Sequence, residues 1–128
     1  MQNQEIYDAA LRFLGEDPGA DENADYEERA PYLLAAFCSE ASPLDARLRE
    51  SGGQNTAPSY SAVFLPLEND FPLLSSLGTA AALYLAAMLI LESDEDRSDK
   101  LYAQYSDVMS RLYDTIPASL HPITDKYF

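Results

Sequence analysis

The sequence predicts an all-α fold, a compact bundle of about five helices that forms a single domain over residues 1–128. Three observations carry this prediction. Apolar side chains recur at helical spacing through most of the chain, and the one extended piece is framed by Pro66 and Pro72. In addition, a run without any charged residue covers residues 71–91, which is typical of a helix that is buried on all sides.

The first helix is predicted over residues 3–16. Its apolar residues keep helical spacing from Ile6 to Leu14, and Gly15 stands where a C-cap glycine is expected. The acidic stretch 16–25, which contains a proline and a glycine, then predicts a loop.

A second helix is predicted over residues 26–41 and a short third one over residues 43–50. Pro31 either marks the first regular turn of the second helix or kinks a helix that began earlier. Ser42 is the predicted N-cap of the third helix, with Pro43 at its first position.

An irregular arm is predicted over residues 51–71. Its first part, residues 51–61, is rich in turn-forming residues, whereas the rest is apolar and extended. A proline-framed apolar arm has little to bury against in so small a domain. We therefore expect a neighbouring molecule to order it.

The uncharged run predicts a central apolar helix over about residues 72–92. Its length would also fit a membrane span. Both of its flanks are acidic, however, whereas a cluster of Lys or Arg is expected on one side of a span, and the chain contains no tryptophan. We therefore expect the other helices to surround this helix.

The last helix is predicted over residues 99–116, where two adjacent apolar stripes run along the sequence. Two prolines follow it, so residues 115–128 are predicted to form an extended C-terminal tail.

The charge balance limits the partners that this chain can bind. There are 22 acidic residues against 8 basic ones, a formal net charge of −14. Such a chain should repel DNA and anionic lipid, and its partners are basic surfaces, cations or apolar patches. The N-terminus shows no signal-peptide pattern, so the bacterial or other cytosol is the expected compartment.

No motif predicts an enzyme. The acidic loop alternates like an EF-hand loop, but Tyr26 stands where the turn glycine belongs and Tyr32 where the bidentate glutamate belongs. A Cys38–His121 nucleophile pair is conceivable, but Cys38 falls on an apolar helix stripe and is predicted to be structural. We expect no cofactor, no metal and no small-molecule substrate.

Two sets of residues are candidates for binding a partner. Apolar and aromatic residues on the arm and the tail are typical of interfaces: Phe64, Leu65, Leu67, Phe71, Ile123, Tyr127 and Phe128. Clustered carboxylates could face a channel or a basic partner: Asp21, Glu22, Asp25, Glu27, Glu28, Asp94, Glu95 and Asp96.

The layout of the chain resembles the head–tail connector proteins (adaptor or head-completion proteins) of tailed bacteriophages and prophages. Three places carry the resemblance: the opening helix that ends in Leu14-Gly15, the arm that leads into an alanine-rich helix, and the closing helix with its A-x-x-Y pattern. The match is one of layout, and the loop 51–61 corresponds to no feature of the family.

The resemblance implies a structural role without catalytic residues. It implies a ring of about a dozen copies below the portal, bound to portal or tail-completion proteins, in the bacterial cytoplasm during assembly and in the virion of an active phage. DNA would pass through without specific binding, because an acidic wall repels phosphate. The alternative is a small acidic adaptor or DNA mimic that binds a basic protein. An enzyme or a small-ligand binder would need a pocket that the sequence does not reveal.

Overall fold

The computed structural model describes residues 1–20, 23–54 and 62–117, and within these ranges it confirms the all-α prediction. The described residues form four α-helices and one 3₁₀ turn, with no strand beyond an isolated bridge between Gln2 and Asp70. The helices are α1 (Asn3–Phe13), α2 (Ala24–Ser51), α3 (Gly78–Ile90) and α4 (Glu95–Asp114), and the 3₁₀ turn is Ser75–Leu77.

The predicted count of five helices is wrong because α2 does not end at Ser42. It runs on through both Pro31 and Pro43 as one helix of 28 residues. A proline inside a helix removes one backbone hydrogen bond and costs about 3 kcal/mol. Burial offsets this cost here, because side chains on both sides of Pro43, among them Ala41 and Asp45, lie in the interior.

Helix α3 is shorter than predicted and packs against α1, α2 and α4. It begins only at Gly78, after the 3₁₀ turn, since Pro72 and the serines that follow it favour other backbone conformations. Its many alanines, including the fully buried Ala80 and Ala86, leave room for neighbouring backbones. No helix within the three described ranges is both long and apolar enough to cross a membrane.

Aromatic rings join three helices and the arm around Phe37, which is fully buried. Its ring centroid lies 6.5 Å from that of Phe71, 5.8 Å from that of Tyr84 and 6.1 Å from that of Tyr105. Tyr84 and Tyr105 also contact each other at 5.3 Å. This cluster fixes α2, α3 and α4 against one another.

The described part of the arm, residues 62–71, docks on its own chain. The N–H groups of Asn3 and Gln4 at the start of α1 donate to the carbonyls of Asn69 and Leu67, at 2.9 and 2.8 Å. The Leu65 N–H donates to the Pro31 carbonyl of α2 at 3.1 Å. The expectation that a neighbour must order the arm is therefore wrong for these residues, because the helices supply the missing hydrogen bonds.

Two helices end in Schellman motifs built on glycines with positive φ. Gly15 (φ +76°) follows α1, as predicted, and the Glu16 N–H donates to the Leu11 carbonyl at 2.8 Å. Gly53 (φ +75°) follows α2, where the Gln54 N–H donates to the Arg49 carbonyl at 2.8 Å. Both positions require a residue that tolerates the left-handed region.

Replacing Gly53 by alanine should lower the free energy of unfolding by about 1 kcal/mol, because a Cβ strains the left-handed conformation. Urea denaturation measures the change. The neighbouring Gly52→Ala is the matched control, since its φ is −86°, and it should stay within about 0.5 kcal/mol of the unchanged protein. Equal losses in the two variants would contradict this assignment.

A buried carboxylate, Asp45, fastens α2 to the segment that precedes α3. One oxygen accepts the Leu74 N–H at 2.8 Å, and the other accepts Arg49 Nε at 2.8 Å. Only 3 % of the Asp45 side chain is exposed. The charge is therefore both paired and hydrogen-bonded, as burial requires.

We expect Asp45→Ala to cost about 3 kcal/mol of stability, because Arg49 and the Leu74 amide lose their acceptor in a shielded place. The control is Asp107→Ala, which removes an exposed ion pair of the same i,i+4 spacing to Arg111 and should cost less than about 0.5 kcal/mol. Urea unfolding of both variants measures the two losses in the free energy of unfolding. A loss at position 45 no larger than that of the control would show that the buried contacts are not stabilising.

Candidate interaction surfaces

The predicted apolar interface residues fall into three groups. Phe64 is 44 % exposed and stays a candidate. Leu65, Leu67 and Phe71 are buried in the core of their own chain, so they are not available on its surface. The remaining candidates, Ile123, Tyr127 and Phe128, lie outside the described residues.

The predicted acidic residues form exposed groups at the starts of two helices. Asp25, Glu27 and Glu28 lie at the start of α2, and Asp94, Glu95 and Asp96 lie at the start of α4. Carboxylates in these places stabilise the positive ends of the helices. Asp21 and Glu22 lie outside the described residues.

Two of these carboxylates have partners within the chain. Asp25 forms an ion pair with Arg29 at 3.2 Å, and Asp94 accepts the Arg97 N–H at 3.1 Å as the N-cap of α4. The Arg97 side chain in turn donates to the Phe13 carbonyl at the end of α1, at 3.1 Å. These two residues therefore serve the fold, whereas Glu27 and Glu28 take part in no ion pair found among the described residues.

A pocket opens where the arm crosses α1 and α2, and we call it the arm pocket. Its volume is about 260 Å³, and its apolar lining consists of Pro31, Phe64, Pro66 and Leu67. Glu27 of α2 and Glu68 of the arm supply two carboxylates to the same lining. The pocket therefore combines an apolar floor with acidic walls.

Exposed aromatic surface adjoins the arm pocket. The rings of Tyr32 and Phe64 meet edge to face at 4.9 Å, and Tyr32 is 57 % exposed. The neighbouring Val63 is 78 % exposed. Sequence reasoning missed Tyr32 and Glu68, because only the docked arm brings them to the same site as Phe64. It also missed Val63, which directly precedes Phe64 in the sequence.

A groove of about 220 Å³ lies between α1 and α3, and we call it the α1–α3 groove. Its lining is mostly apolar, with Met1, Ile6, Ala9 and Phe13 on one side and Thr79 and Ala82 of α3 on the other. Phe13 is 41 % exposed, although its helical spacing places it among the core residues of the first predicted helix. This ring and the side chain of Met1, which is 52 % exposed, are large apolar groups in the lining.

A third open surface, the α2–α4 groove, lies between the C-terminal halves of α2 and α4. Two depressions of about 320 and 280 Å³ share Leu44 and Tyr113. Met109 lines the first depression, and Pro43 and Arg47 line the second. Different helices thus form this groove and the α1–α3 groove.

Two buried tyrosines have pKa values that their surroundings raise. Burial raises the pKa of Tyr7 to about 12, with a smaller effect from Glu27. The pKa of Tyr105 is raised first by burial and then by Glu40, which its hydroxyl contacts. Because these folded-state pKa values exceed the ordinary value of 10.0, the two tyrosines favour folding below that pH and lose this contribution as the pH rises above it.

The described part of the chain contains no group of side chains that could hold a metal ion. No three residues of the His, Cys, Asp or Glu types are placed there to hold a metal ion. Cys38 is fully buried, and burial raises the pKa of its thiol to about 12. His121 lies outside the described residues.

Within the described residues the protein is helical, and the arm pocket, the α1–α3 groove and the α2–α4 groove are open on its surface. No family model, curated protein or solved structure matches the chain.

Cys38 should resist thiol reagents in the folded protein, because its side chain is buried and its thiol stays protonated at neutral pH. With Ellman's reagent at mild alkaline pH, labelling should proceed only as fast as the protein unfolds, and it should be complete within the mixing time in urea. Cys38→Ser supplies the blank. Prompt stoichiometric labelling of the folded protein would contradict the structural role of this cysteine.

Proposed function

We propose that the chain is a structural subunit of a phage or prophage head–tail connector ring, which joins the portal to the tail and forms part of the DNA conduit. The observation that supports it best is the presence of two mostly apolar grooves that different helices form. A cyclic ring needs such a pair, because each copy presents one surface to the next copy and a different surface to the previous one.

The α1–α3 groove and the α2–α4 groove supply two such surfaces. Phe13 offers an exposed ring at the first, whereas Leu44 and Met109 line the second. In the proposed subunit α3 is the central helix, so that both grooves rest on one rigid core. Portal or tail-completion proteins would then bind the upper and lower faces of the ring.

The acidic surface suits a conduit. Exposed carboxylates at the starts of α2 and α4 add to a formal net charge of −14. A negative wall repels the phosphates of the duplex, so DNA passes without specific binding. The proposed place of action is the bacterial cytoplasm during assembly and the virion thereafter.

A second candidate is a small acidic adaptor that binds a basic protein. The arm pocket favours it, since two carboxylates there flank an apolar floor. This function would require no ring and would leave both grooves unused.

Charged substitutions in the grooves test the ring proposal. Phe13→Asp and Leu44→Asp should each weaken self-association by tenfold or more, because each places a charge in an apolar contact. Light scattering after gel filtration, with negative-stain microscopy, measures the assembly. Leu91→Asp is the matched control, since Leu91 is 44 % exposed and lines neither groove.

Mixing the variants gives the sharper result. Phe13→Asp retains an intact α2–α4 groove, and Leu44→Asp retains an intact α1–α3 groove. In a head-to-tail ring these two intact grooves can bind each other. An equimolar mixture should therefore form dimers but no rings. Circular dichroism of each variant is the control for its folding. A wild-type protein that stays monomeric over the whole accessible concentration range, or a mixture that stays monomeric, would contradict assembly through these grooves.

A further inference from the structure

We propose that the arm pocket binds an arginine side chain of a partner protein other than a second copy of this chain. The arm pocket combines an apolar floor, exposed aromatic rings, carboxylates without an ion pair and walls that are already fixed. It does not depend on the ring, because the lining of the arm pocket shares no residue with either groove.

The apolar part of the pocket fits the stem of a long side chain. Pro31, Phe64, Pro66 and Leu67 line a space of about 260 Å³. The methylenes of arginine cover apolar surface of this kind while the charged head stays at the rim. Phe64 and its edge-to-face partner Tyr32 are exposed at the same place, and aromatic faces attract a guanidinium more readily than an ammonium.

The charges of the pocket complement a cation. Among the described residues that line it, Glu27 and Glu68 carry the charge, and they come from different elements, α2 and the arm. Neither takes part in an ion pair found among the described residues. The third polar residue of the lining, Gln4, donates its side-chain amide to Asp8 at 2.9 Å. A guanidinium with five N–H donors would therefore meet acceptors on two sides.

Backbone hydrogen bonds hold the walls in place before any ligand arrives. The Leu65 N–H donates to the Pro31 carbonyl at 3.1 Å, and the Gln4 N–H donates to the Leu67 carbonyl at 2.8 Å. The side-chain amide of Asn3 donates to the Pro66 carbonyl at 2.9 Å. Because the walls are already ordered, a ligand loses little affinity to rearrangement of the pocket.

The arginines of the chain itself are mostly engaged, which favours a different protein as the partner. Four of them hydrogen-bond within their own subunit: Arg29, Arg49, Arg97 and Arg111. Each would have to give up that contact to enter the pocket of a second copy. A basic partner has free side chains and is also attracted by the formal net charge of −14.

The experiment is an NMR titration at physiological ionic strength. The probe is an acetylated and amidated hexapeptide with one arginine among alanines, compared with the same peptide carrying citrulline, which has nearly the same shape but no charge. The arginine peptide should shift the amide signals of Gln4, Glu27, Phe64 and Glu68. It should bind about tenfold more tightly than the citrulline peptide, because only the guanidinium forms charge-assisted hydrogen bonds.

Two double variants that remove the same formal charge distinguish binding in the pocket from general electrostatic attraction to the acidic protein. Glu27→Gln with Glu68→Gln should weaken binding of the arginine peptide about tenfold. Glu95→Gln with Asp96→Asn, which removes the same formal charge at the start of α4, should weaken it less than about twofold. Phe64→Ala should weaken binding several-fold while leaving the circular dichroism spectrum unchanged.

Several results would overturn the proposal. They are equal losses in the two double variants, equal binding of the citrulline peptide or of the same peptide with lysine in place of arginine, and signal shifts confined to other parts of the chain. If the same signals shift when the protein alone is concentrated, a second copy occupies the pocket and the proposal is wrong as stated. Phe13→Asp should retain full peptide binding, so that loss of the ring and loss of the pocket remain distinguishable.

Discussion

The rest of the structure depends on the docking of the arm, because the arm forms backbone hydrogen bonds with groups that have no partner within their own helices. The first N–H groups of a helix have no partner within it, and Asn3 and Gln4 find theirs in carbonyls of the arm. The same segment sends Phe71 to the ring of Phe37 in the core. Helix α1, the α2 face around Pro31 and the aromatic cluster are thus joined by one short piece of chain.

Much of the fold could be predicted from the sequence because helical periodicity and glycine caps act locally. The all-α class, the first helix and the role of Gly15 are of this kind. The continuation of α2 through Pro43 could not be predicted, since the local cost of a proline is offset only by distant contacts. Asp45 shows this best, because its acceptor role depends on Leu74, 29 positions away in sequence.

The interface candidates divide according to the direction of their side chains. In an extended segment successive side chains point to opposite sides. Leu65 is buried, whereas Phe64 before it remains exposed. In the turn that follows, closed by the Asn69 N–H and the Pro66 carbonyl at 3.1 Å, Leu67 is buried and Glu68 is exposed. The sequence prediction assigned Phe64, Leu65, Leu67 and Phe71 to one interface because it lacked a surface for the arm to dock on. Without that surface, there is no physical basis for separating inward from outward positions.

This alternation also links stability to recognition. The backbone of Leu65 is hydrogen-bonded to Pro31 of α2, and that of Leu67 to Gln4 of α1. The same docked segment places Phe64 and Glu68 in one lining with Glu27. A ligand in the arm pocket would contact α2 and the arm at once, so its binding energy would also hold the arm against the helix and stabilise the fold. Partner binding and the packing of the arm in the core therefore depend on the same few backbone contacts. A change that weakens the docking of the arm should weaken both.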